Sequence, residues 1–406
     1  MFCLIVIFLY ICRDCVIMCY LQTMDLNFFI EMLGIDSTSG REREFAEFLA
    51  ERMAGPGRQI EKLEVPAMEA DCPDGCDVPV NLYIKWGDPK IVFCSHLDTV
   101  PPYIPPAVST VCQSDGQDGV KVTGRGSCDA KGQIFSMWEA CLELERRGCT
   151  DFGLILLAGE ETGSFGAKAF SADFPSDAVV IVGEPTDNHM TTASKGTKSF
   201  EVSFQGEPFH SGYPQYGRSA VEMFNDFVNA LRSIVFPKDE VLGDTTWNIG
   251  RLVSDNPQNI LSEHLTCRVY FRTTFESDEM VCNVMKNMAG PDAKLRFGRR
   301  RVQDGSDIVA KEIAPWQKYM TVKAFGGDTP TRYETLEGFP SKPVAFGSDA
   351  PQLKSFTRKI LCGPGSILVA HRPEEHVMLS DIEVASKAYV RMYEQLMYSV
   401  KCVGNN

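Results

Sequence analysis

Three short apolar runs along the chain have the composition of strands that are buried on both faces. They cover residues 91–94 (IVFC), 152–158 (FGLILLA) and 178–182 (AVVIV), and continuous apolar runs of this length are typical of parallel sheets. An amphipathic helical pattern over residues 129–147 separates the first two runs. The predicted fold class is therefore α/β, with a mostly parallel sheet whose ligands gather beyond the carboxyl ends of its strands.

The pattern of apolar and polar residues changes after Gly196. Residues 199–205 (SFEVSFQ) alternate between apolar and polar side chains, as a half-exposed antiparallel strand does. The elements predicted after that strand are a helix over 219–234, strands over 245–253 and 265–274, a helix over 277–289 and a strand over 294–299. This β-α-β-β-α-β order predicts an inserted split-βαβ (ferredoxin-like) domain, a lid or dimerisation domain with one sheet face free for a partner subunit.

The predicted domain organisation follows from these two sequence patterns and from a length of 406 residues, which favours two domains. The first part of the catalytic domain spans 24–195, the inserted domain 196–300, and the second part of the catalytic domain 301–406.

The first 23 residues are interpreted as a non-native or disordered extension, with Met24 or Met18 as the natural start. Residues 1–12 (MFCLIVIFLYIC) are almost entirely apolar, but they lack the basic region and cleavage site of a signal peptide. This apolar run is shorter than the roughly 20 residues that span a bilayer, so stable membrane insertion is not expected. A membrane-proximal anchor is the alternative.

Charge and cysteine content narrow the partners and the compartment. A net charge of -14 argues against nucleic acid and anionic membranes. The fifteen cysteines are scattered through a large chain, and several, such as Cys94, Cys141 and Cys267, lie in apolar or helical contexts. Free cysteine behaves there as a small buried hydrophobe, so a reducing, cytoplasmic location is predicted.

Polar residues that can bind a metal follow each apolar run. His96 ends the first, two adjacent glutamates follow the second, and a glycine-rich turn delivers Asp129 to the start of a helix. Helix caps and surface carboxylates are the alternative explanation, but five coincidences at strand ends are improbable. Two imidazoles and three carboxylates suit a pair of Zn²⁺ ions with one carboxylate bridging. The candidate ligands are His96, Asp129, Glu161, Glu184 and His371.

Two further residues complete the equipment for hydrolysis. In an extended chain Asp98 lies on the same side as His96, where it can hold the imidazole, although a hydrogen-bonded surface pair is the alternative. Glu160 is free of the ligand set and is predicted to take the proton of a water whose pKa the metals lower.

In combination the motifs resemble those of a known family. The chain contains SHLDTVP, GRGSCDAKG, GEETGS, GEPT, HSGYP and GPG followed by AHRPEE. It resembles the dinuclear zinc hydrolases that include acetylornithine deacetylase, succinyl-diaminopimelate desuccinylase, aminoacylase and glutamate carboxypeptidase. The resemblance implies one metal on His96, Asp129 and Glu184, and a second on Asp129, Glu161 and His371. It also implies that Asp98 orients His96 and that Glu160 is general base and then acid.

The resemblance extends to substrate-binding residues. It implies that His210 of the inserted domain polarises the scissile carbonyl, often across a dimer, and that Asn259 and Arg272 bind the substrate carboxylate. Leu261 replaces the usual proline near Asn259, and a capped histidine, a turn asparagine and an exposed arginine are the alternatives. Ser348 and Gly363, at strand ends that meet glycine turns, are the other predicted substrate-binding residues.

The predicted function is therefore metal-dependent hydrolysis of the amide bond of a small N-acyl amino acid, of the acetylornithine deacetylase type. The cofactors are two Zn²⁺ ions, for which Co²⁺ can substitute, and the protein is expected to be a homodimer through the inserted domain. Desuccinylase activity, cleavage of short peptides as a di- or tripeptidase, and a non-catalytic ligand-binding relative are the alternatives.

Overall fold

A computed structural model describes residues 24–66, 78–112, 118–295, 297–300, 309–312 and 315–403. The helices are α1 (Leu26–Gly34), α2 (Arg43–Arg52), α3 (Lys131–Arg146), α4 (Phe165–Ala169), α5 (Ala220–Arg232), α6 (Asp278–Met288), α7 (Pro315–Lys318) and α8 (Leu379–Val403), with 3₁₀ turns at Pro214–Tyr216 and Ala350–Gln352. The strands are β1 (Gln59–Glu64), β2 (Val80–Trp86), β3 (Ile91–His96), β4 (Ala107–Cys112), β5 (Asp118–Thr123), β6 (Phe152–Leu157), β7 (Val179–Val182), β8 (Met190–Ser194), β9 (Gly196–Gln205), β10 (Thr246–Val253), β11 (His264–Thr273), β12 (Phe297–Arg300), β13 (Val309–Glu312), β14 (Met320–Gly326), β15 (Thr331–Arg332), β16 (Ser341–Val344), β17 (Arg358–Leu361) and β18 (His376–Met378).

The described residues fall into two compact units. Unit 1 consists of those within Met1–Thr192, Tyr333–Lys342 and Ser348–Asn406. Unit 2 consists of those within Ala193–Arg332 and Pro343–Gly347.

Unit 1 is built on a six-stranded sheet of order β1-β2-β6-β3-β7-β17. Strand β3 is parallel to β6 and β7, and β7 is parallel to β17, whereas β2 is antiparallel to both β6 and β1. All residues of β3, β6 and β7 are buried. The predicted α/β class with a mostly parallel sheet is therefore confirmed, and β3, β6 and β7 end at the same edge.

Aromatic contacts fix the helices of unit 1 in its core. The Tyr389 ring of α8 packs edge-on against Phe93 of β3, with ring centroids 5.6 Å apart. The rings of Phe29 in α1 and Phe135 in α3 are stacked at 4.8 Å. The first contact joins α8 to the central sheet, and the second joins α3 to α1. Cys94, Cys141 and Cys267 are buried free cysteines, as predicted.

Helix α1 is the first described element. The Asp25 carboxylate caps it by accepting a hydrogen bond from the Phe28 N–H at 3.0 Å. The predicted extension, residues 1–23, lies outside the described residues. Within the described ranges no helix combines the length and apolarity that crossing a membrane requires.

Unit 2 contains an antiparallel sheet of order β10-β11-β9-β14. The alternation predicted for β9 is present, because Phe200, Val202 and Phe204 are buried while Gln205 is exposed. The chain order β9-α5-β10-β11-α6-β14 is the predicted split-βαβ order, since β11 lies between β9 and β10.

The last strand of this sheet differs from the prediction. The sequence placed it at 294–299 and ended the inserted domain at 300, whereas β14 is the fourth strand and pairs with β9. Strand β12 instead pairs with β13, and unit 2 continues to Arg332. Both segments alternate in polarity, and alternation predicts a strand without specifying its partner.

Candidate metal centre

The parallel strands of unit 1 deliver three polar groups to one edge of the sheet. His96 is the last residue of β3, the Glu160–Glu161 pair follows β6, and Glu184 follows β7 after a single glycine. His96 and Glu184 are almost fully buried, at 1% and 4% exposure. The structure therefore places these polar residues at one edge of the sheet.

Asp129 and His371 reach the same place from loops. An Asp129 oxygen, Oδ1, lies 3.0 Å from His96 Nε2, and its other oxygen, Oδ2, lies 3.4 Å from His371 Nε2. The His371 Nε2 atom is also 2.8 Å from Glu161 Oε1. Asp129 thus lies between the two imidazoles with one oxygen facing each, as a bridging carboxylate would. It does not cap α3, whose N-cap residue is Ala130.

Burial and mutual repulsion oppose the ionisation of Glu160 and Glu184, whereas hydrogen bonds with His371 and His96 outweigh burial and lower the pKa of Asp129. Burial, followed by the charge of Glu184, raises the pKa of Glu160 well above its ordinary value. Burial, followed by the charge of Asp129, does the same to the pKa of Glu184. Hydrogen bonds to Asp129 and Glu161 raise the pKa of His371 to about 10. A concentration of negative charge in a buried site is costly unless cations compensate it.

The donor set fits divalent metal ions. Suitable ligand atoms of His96, Asp129 and Glu161 lie within 4.8 Å of one another. His96 Nδ1 is 2.9 Å from the Asp98 carbonyl oxygen; because a carbonyl only accepts, Nδ1 carries the hydrogen and Nε2 keeps its lone pair toward the cluster. Imidazole nitrogen with carboxylate oxygen is a ligand combination that Zn²⁺ accepts.

A model of the peptidase family M20/M25/M40 matches residues 92–395, more than half of the chain. The chain belongs to this family. A relative from Aspergillus terreus, named "Probable carboxypeptidase", is 31% identical over 399 residues, which cover 92% of this chain and 86% of the relative.

Solved structures agree with this assignment at the level of the fold. A tripeptidase from Staphylococcus aureus aligns with a TM-score of 0.70 and 18% identity, covering 91% of this chain and 97% of its own. A Bacillus subtilis protein, described as a dinuclear metal binding peptidase of the M20 family, aligns with a TM-score of 0.54 and 15% identity, covering 90% and 95%. The family inferred from the motifs and the class of metal-dependent hydrolase are thereby confirmed.

In this M20/M25/M40 member, Asp98 contacts more than His96. Its carboxylate lies 3.5 Å from His96 Nδ1, farther than the carbonyl oxygen of the same residue. The carboxylate accepts hydrogen bonds from the N–H groups of Glu160 at 2.9 Å and Glu161 at 3.2 Å, and from the Ser39 hydroxyl at 2.8 Å. The residue predicted to orient the imidazole therefore also fixes the backbone of the glutamate pair.

His210 lies on an exposed turn of unit 2. Its Nδ1 accepts a hydrogen bond from the Gly212 N–H at 3.0 Å, so in the neutral ring the hydrogen is on Nε2. The Ser211 N–H donates to the Asn259 carbonyl at 2.9 Å, which brings these two predicted substrate residues onto adjoining loops. Arg272, on β11, is half-buried, with its guanidinium 5.1 Å from the Tyr270 ring centroid.

Ser348 and Gly363 are both buried in unit 1. The Ser348 hydroxyl accepts from the Ala350 N–H at 3.3 Å. Gly363 leaves no room for a side chain, because a Cβ there would lie 1.9 Å from Gln133 Oε1 and 2.7 Å from the Glu184 carbonyl. Gly363 therefore permits close packing beside Glu184.

Sequence reasoning missed two buried carboxylates near the centre. Asp349 is 2% exposed, and its charge adds to the effect of burial in raising the pKa of Glu160 and Glu184. Glu375 binds the loop that carries Asp129. Asp349 directly follows Ser348, and Glu375 ends the AHRPEE motif, but the local sequence does not indicate which groups either carboxylate contacts.

Proposed function

We propose that this protein hydrolyses the amide bond next to the free carboxylate of a short peptide or an N-acyl amino acid, with two divalent metal ions. The observation that supports this most is the placement of Asp129 between the Nε2 atoms of His96 and His371. The metal ligands would be His96, Asp129, Glu161, Glu184 and His371.

Metal ions bound there would polarise the scissile carbonyl and lower the pKa of the attacking water. Zn²⁺ is the expected metal, and Co²⁺ should substitute, because both accept imidazole and carboxylate ligands. The ligand side chains are supported before any metal arrives. The Nδ1–H of His96 is held by a carbonyl, and the Glu161 backbone is held by Asp98.

Glu160 is the proposed general base. It adjoins Glu161, and its N–H is fixed by the Asp98 carboxylate. Its buried, negatively charged surroundings raise its pKa, which favours proton acceptance. Glu160 would take the proton of the attacking water and return it to the leaving nitrogen, so the residue ends the cycle as it began.

Residues of unit 2 are proposed to bind the rest of the substrate. His210, whose neutral ring has its hydrogen on Nε2, would donate that hydrogen to the developing oxyanion. Arg272 and Asn259 would bind the terminal carboxylate, for which a guanidinium is well suited. Ser348 and Gly363 of unit 1 are the other proposed substrate-binding residues.

Peptide cleavage is the substrate class that the named relatives favour, since one is named a carboxypeptidase and another a tripeptidase. Acetylornithine deacetylation, preferred from the motifs, stays a prediction. Both reactions break an amide next to a carboxylate-bearing residue, so the catalytic residues proposed above serve either.

A substrate panel tests this proposal. The Zn²⁺- or Co²⁺-loaded protein should cleave some dipeptides or tripeptides with a free C-terminus, and the matched peptide amides should be cleaved poorly because Arg272 then lacks its anionic partner. Acetylornithine and succinyl-diaminopimelate belong in the same panel. Faster turnover of acetylornithine than of every peptide would favour the deacetylase, and no cleavage by a folded, metal-loaded protein would refute the proposal.

Removal of metal should affect both activity and stability. A chelator should abolish hydrolysis and lower Tm, because the buried carboxylates then repel one another. Zn²⁺ or Co²⁺ should restore both, with about 2.7 kcal/mol of added stability at 100 times the Kd. Calorimetry measures the change. In the control variant Asp129→Asn, added metal should raise Tm much less; full activity of metal-free protein would contradict the prediction.

A further inference from the structure

Glu375 is a buried carboxylate that gathers three backbone donors of one loop. It is 1% exposed, and its Oε1 accepts hydrogen bonds from the N–H groups of Gly126 at 2.9 Å, Cys128 at 3.1 Å and Asp129 at 3.0 Å. The last donor belongs to the residue that lies between His96 and His371. The carboxylate therefore determines where the backbone of Asp129 lies.

The other oxygen of Glu375 pairs with a buried cation from the same loop. Arg125, 3% exposed, forms an ion pair with Glu375 Oε2. The Arg125 guanidinium also donates to the carbonyls of Pro102 at 3.2 Å and Arg372 at 3.5 Å. Because Arg372 directly follows His371, the pair joins the loop of one proposed metal ligand to the loop of another.

The loop of His371 needs such support. His371 has a φ of 62°, a left-handed conformation that non-glycine residues adopt rarely and keep only where the surroundings impose it. A backbone hydrogen bond also joins this loop to the loop of Asp129, because the Gly124 N–H donates to the Glu375 carbonyl at 3.2 Å. His371 itself is otherwise exposed to solvent.

Stability alone is a weak explanation for this arrangement. The cost of removing two charges from water offsets much of the attraction in a buried ion pair. What the arrangement does impose is position, because one oxygen binds the Asp129 loop while the backbone of the same residue belongs to the His371 loop. Mutation of a residue that holds a metal ligand in place without contacting the metal commonly weakens metal binding by 10- to 100-fold.

We propose that Glu375, paired with Arg125, is a positioning residue that sets the spacing between Asp129 and His371 and thereby the affinity of the centre for metal. This inference rests on the metal site of the proposed function. It assigns Glu375 no contact with metal or substrate.

The test compares Glu375→Gln with Glu374→Gln, the same substitution one residue earlier. Glu374 is exposed and lies 3.6 Å from Arg372 as a surface ion pair, so its loss should change nothing. Apoprotein of each variant is titrated with Co²⁺ and followed by visible absorption, with the Tm of each apoprotein measured in parallel. Glu375→Gln should bind Co²⁺ about 10- to 100-fold more weakly and shift the absorption bands, because the ligand geometry changes.

Unchanged Co²⁺ affinity and spectrum in Glu375→Gln, with only a lower Tm, would overturn the inference and leave a structural ion pair. If Glu375→Gln does not fold, Arg125→Lys replaces it; this variant keeps the three N–H bonds and should still bind Co²⁺ several-fold more weakly, and unchanged affinity there would be equally adverse. Failure of wild-type protein to bind Co²⁺ would refute the metal site itself, a result visible before any variant is made.

Discussion

Replacing Glu160 by glutamine should lower kcat by about 10²- to 10⁴-fold while both metal ions stay bound. Glutamine has nearly the same size as glutamate, and the backbone N–H of residue 160 can still donate to the Asp98 carboxylate. The local structure should therefore be unchanged. Glutamine cannot accept the proton of the attacking water, and only the base is removed. Steady-state kinetics together with metal analysis of the same preparation measures both quantities.

The neighbouring substitution Glu161→Gln is the matched contrast. Glu161 contacts His371 at 2.8 Å and is a proposed ligand, so this variant should lose metal affinity along with activity. The two adjacent glutamates should therefore fail in different ways. If Glu160→Gln also lost its metal in proportion to its rate, Glu160 would be a ligand and its assignment as base would be wrong.

His210→Ala should lower kcat by about 10²- to 10³-fold, which corresponds to the roughly 2.7–4 kcal/mol measured when one oxyanion donor is removed. The His210 Nδ1 atom accepts a hydrogen bond from the Gly212 N–H. The neutral ring therefore has its hydrogen on Nε2 and can donate it. Metal content and Tm should not change. His264→Ala is the control, because His264 is also an exposed histidine of unit 2. Equal losses in the two variants would argue against a specific role for His210.

A mixing experiment determines which chain supplies His210 to a given site. If the protein is the predicted homodimer and His210 acts across it, mixing His210→Ala with Glu160→Gln restores one complete site in each hybrid. Random exchange should then recover about a quarter of wild-type activity, because half of the dimers are hybrids with one working site each. Proven subunit exchange without recovery would place His210 in the site of its own chain or outside catalysis.

Much of the centre was predictable because local pattern and local chemistry agree. The runs IVFC, FGLILLA and AVVIV are short and continuously apolar, as strands buried on both faces are, and the strands that they form are fully buried. Parallel strands end at a common edge, so the order of residues along the chain was sufficient to bring His96, Glu161 and Glu184 to one place. The alternation in β9 predicted its half-exposed sheet for the same kind of reason.

Contacts between distant segments were decided by the tertiary structure. Asp98 binds N–H groups more than 60 positions later, and Glu375 binds a loop about 250 positions earlier. The sequence identifies a residue as glutamate or aspartate, but it does not show whether the carboxylate contacts a metal, an arginine or three backbone N–H groups. The pairing of β14 with β9, in place of the predicted 294–299, is a further case, because both candidates alternate.

The sequence by itself determined which side chains could do chemistry and at which edge of the sheet they would gather. The burial and the periodicity of a strand can be inferred from a few consecutive residues, and the three apolar runs indicate both. Only the tertiary structure decided what holds those side chains in place: the Asp98 carboxylate behind Glu160 and Glu161, and the Glu375–Arg125 pair behind Asp129 and His371. Such supporting contacts depend on the three-dimensional path of the chain, because they join loops that only folding brings together.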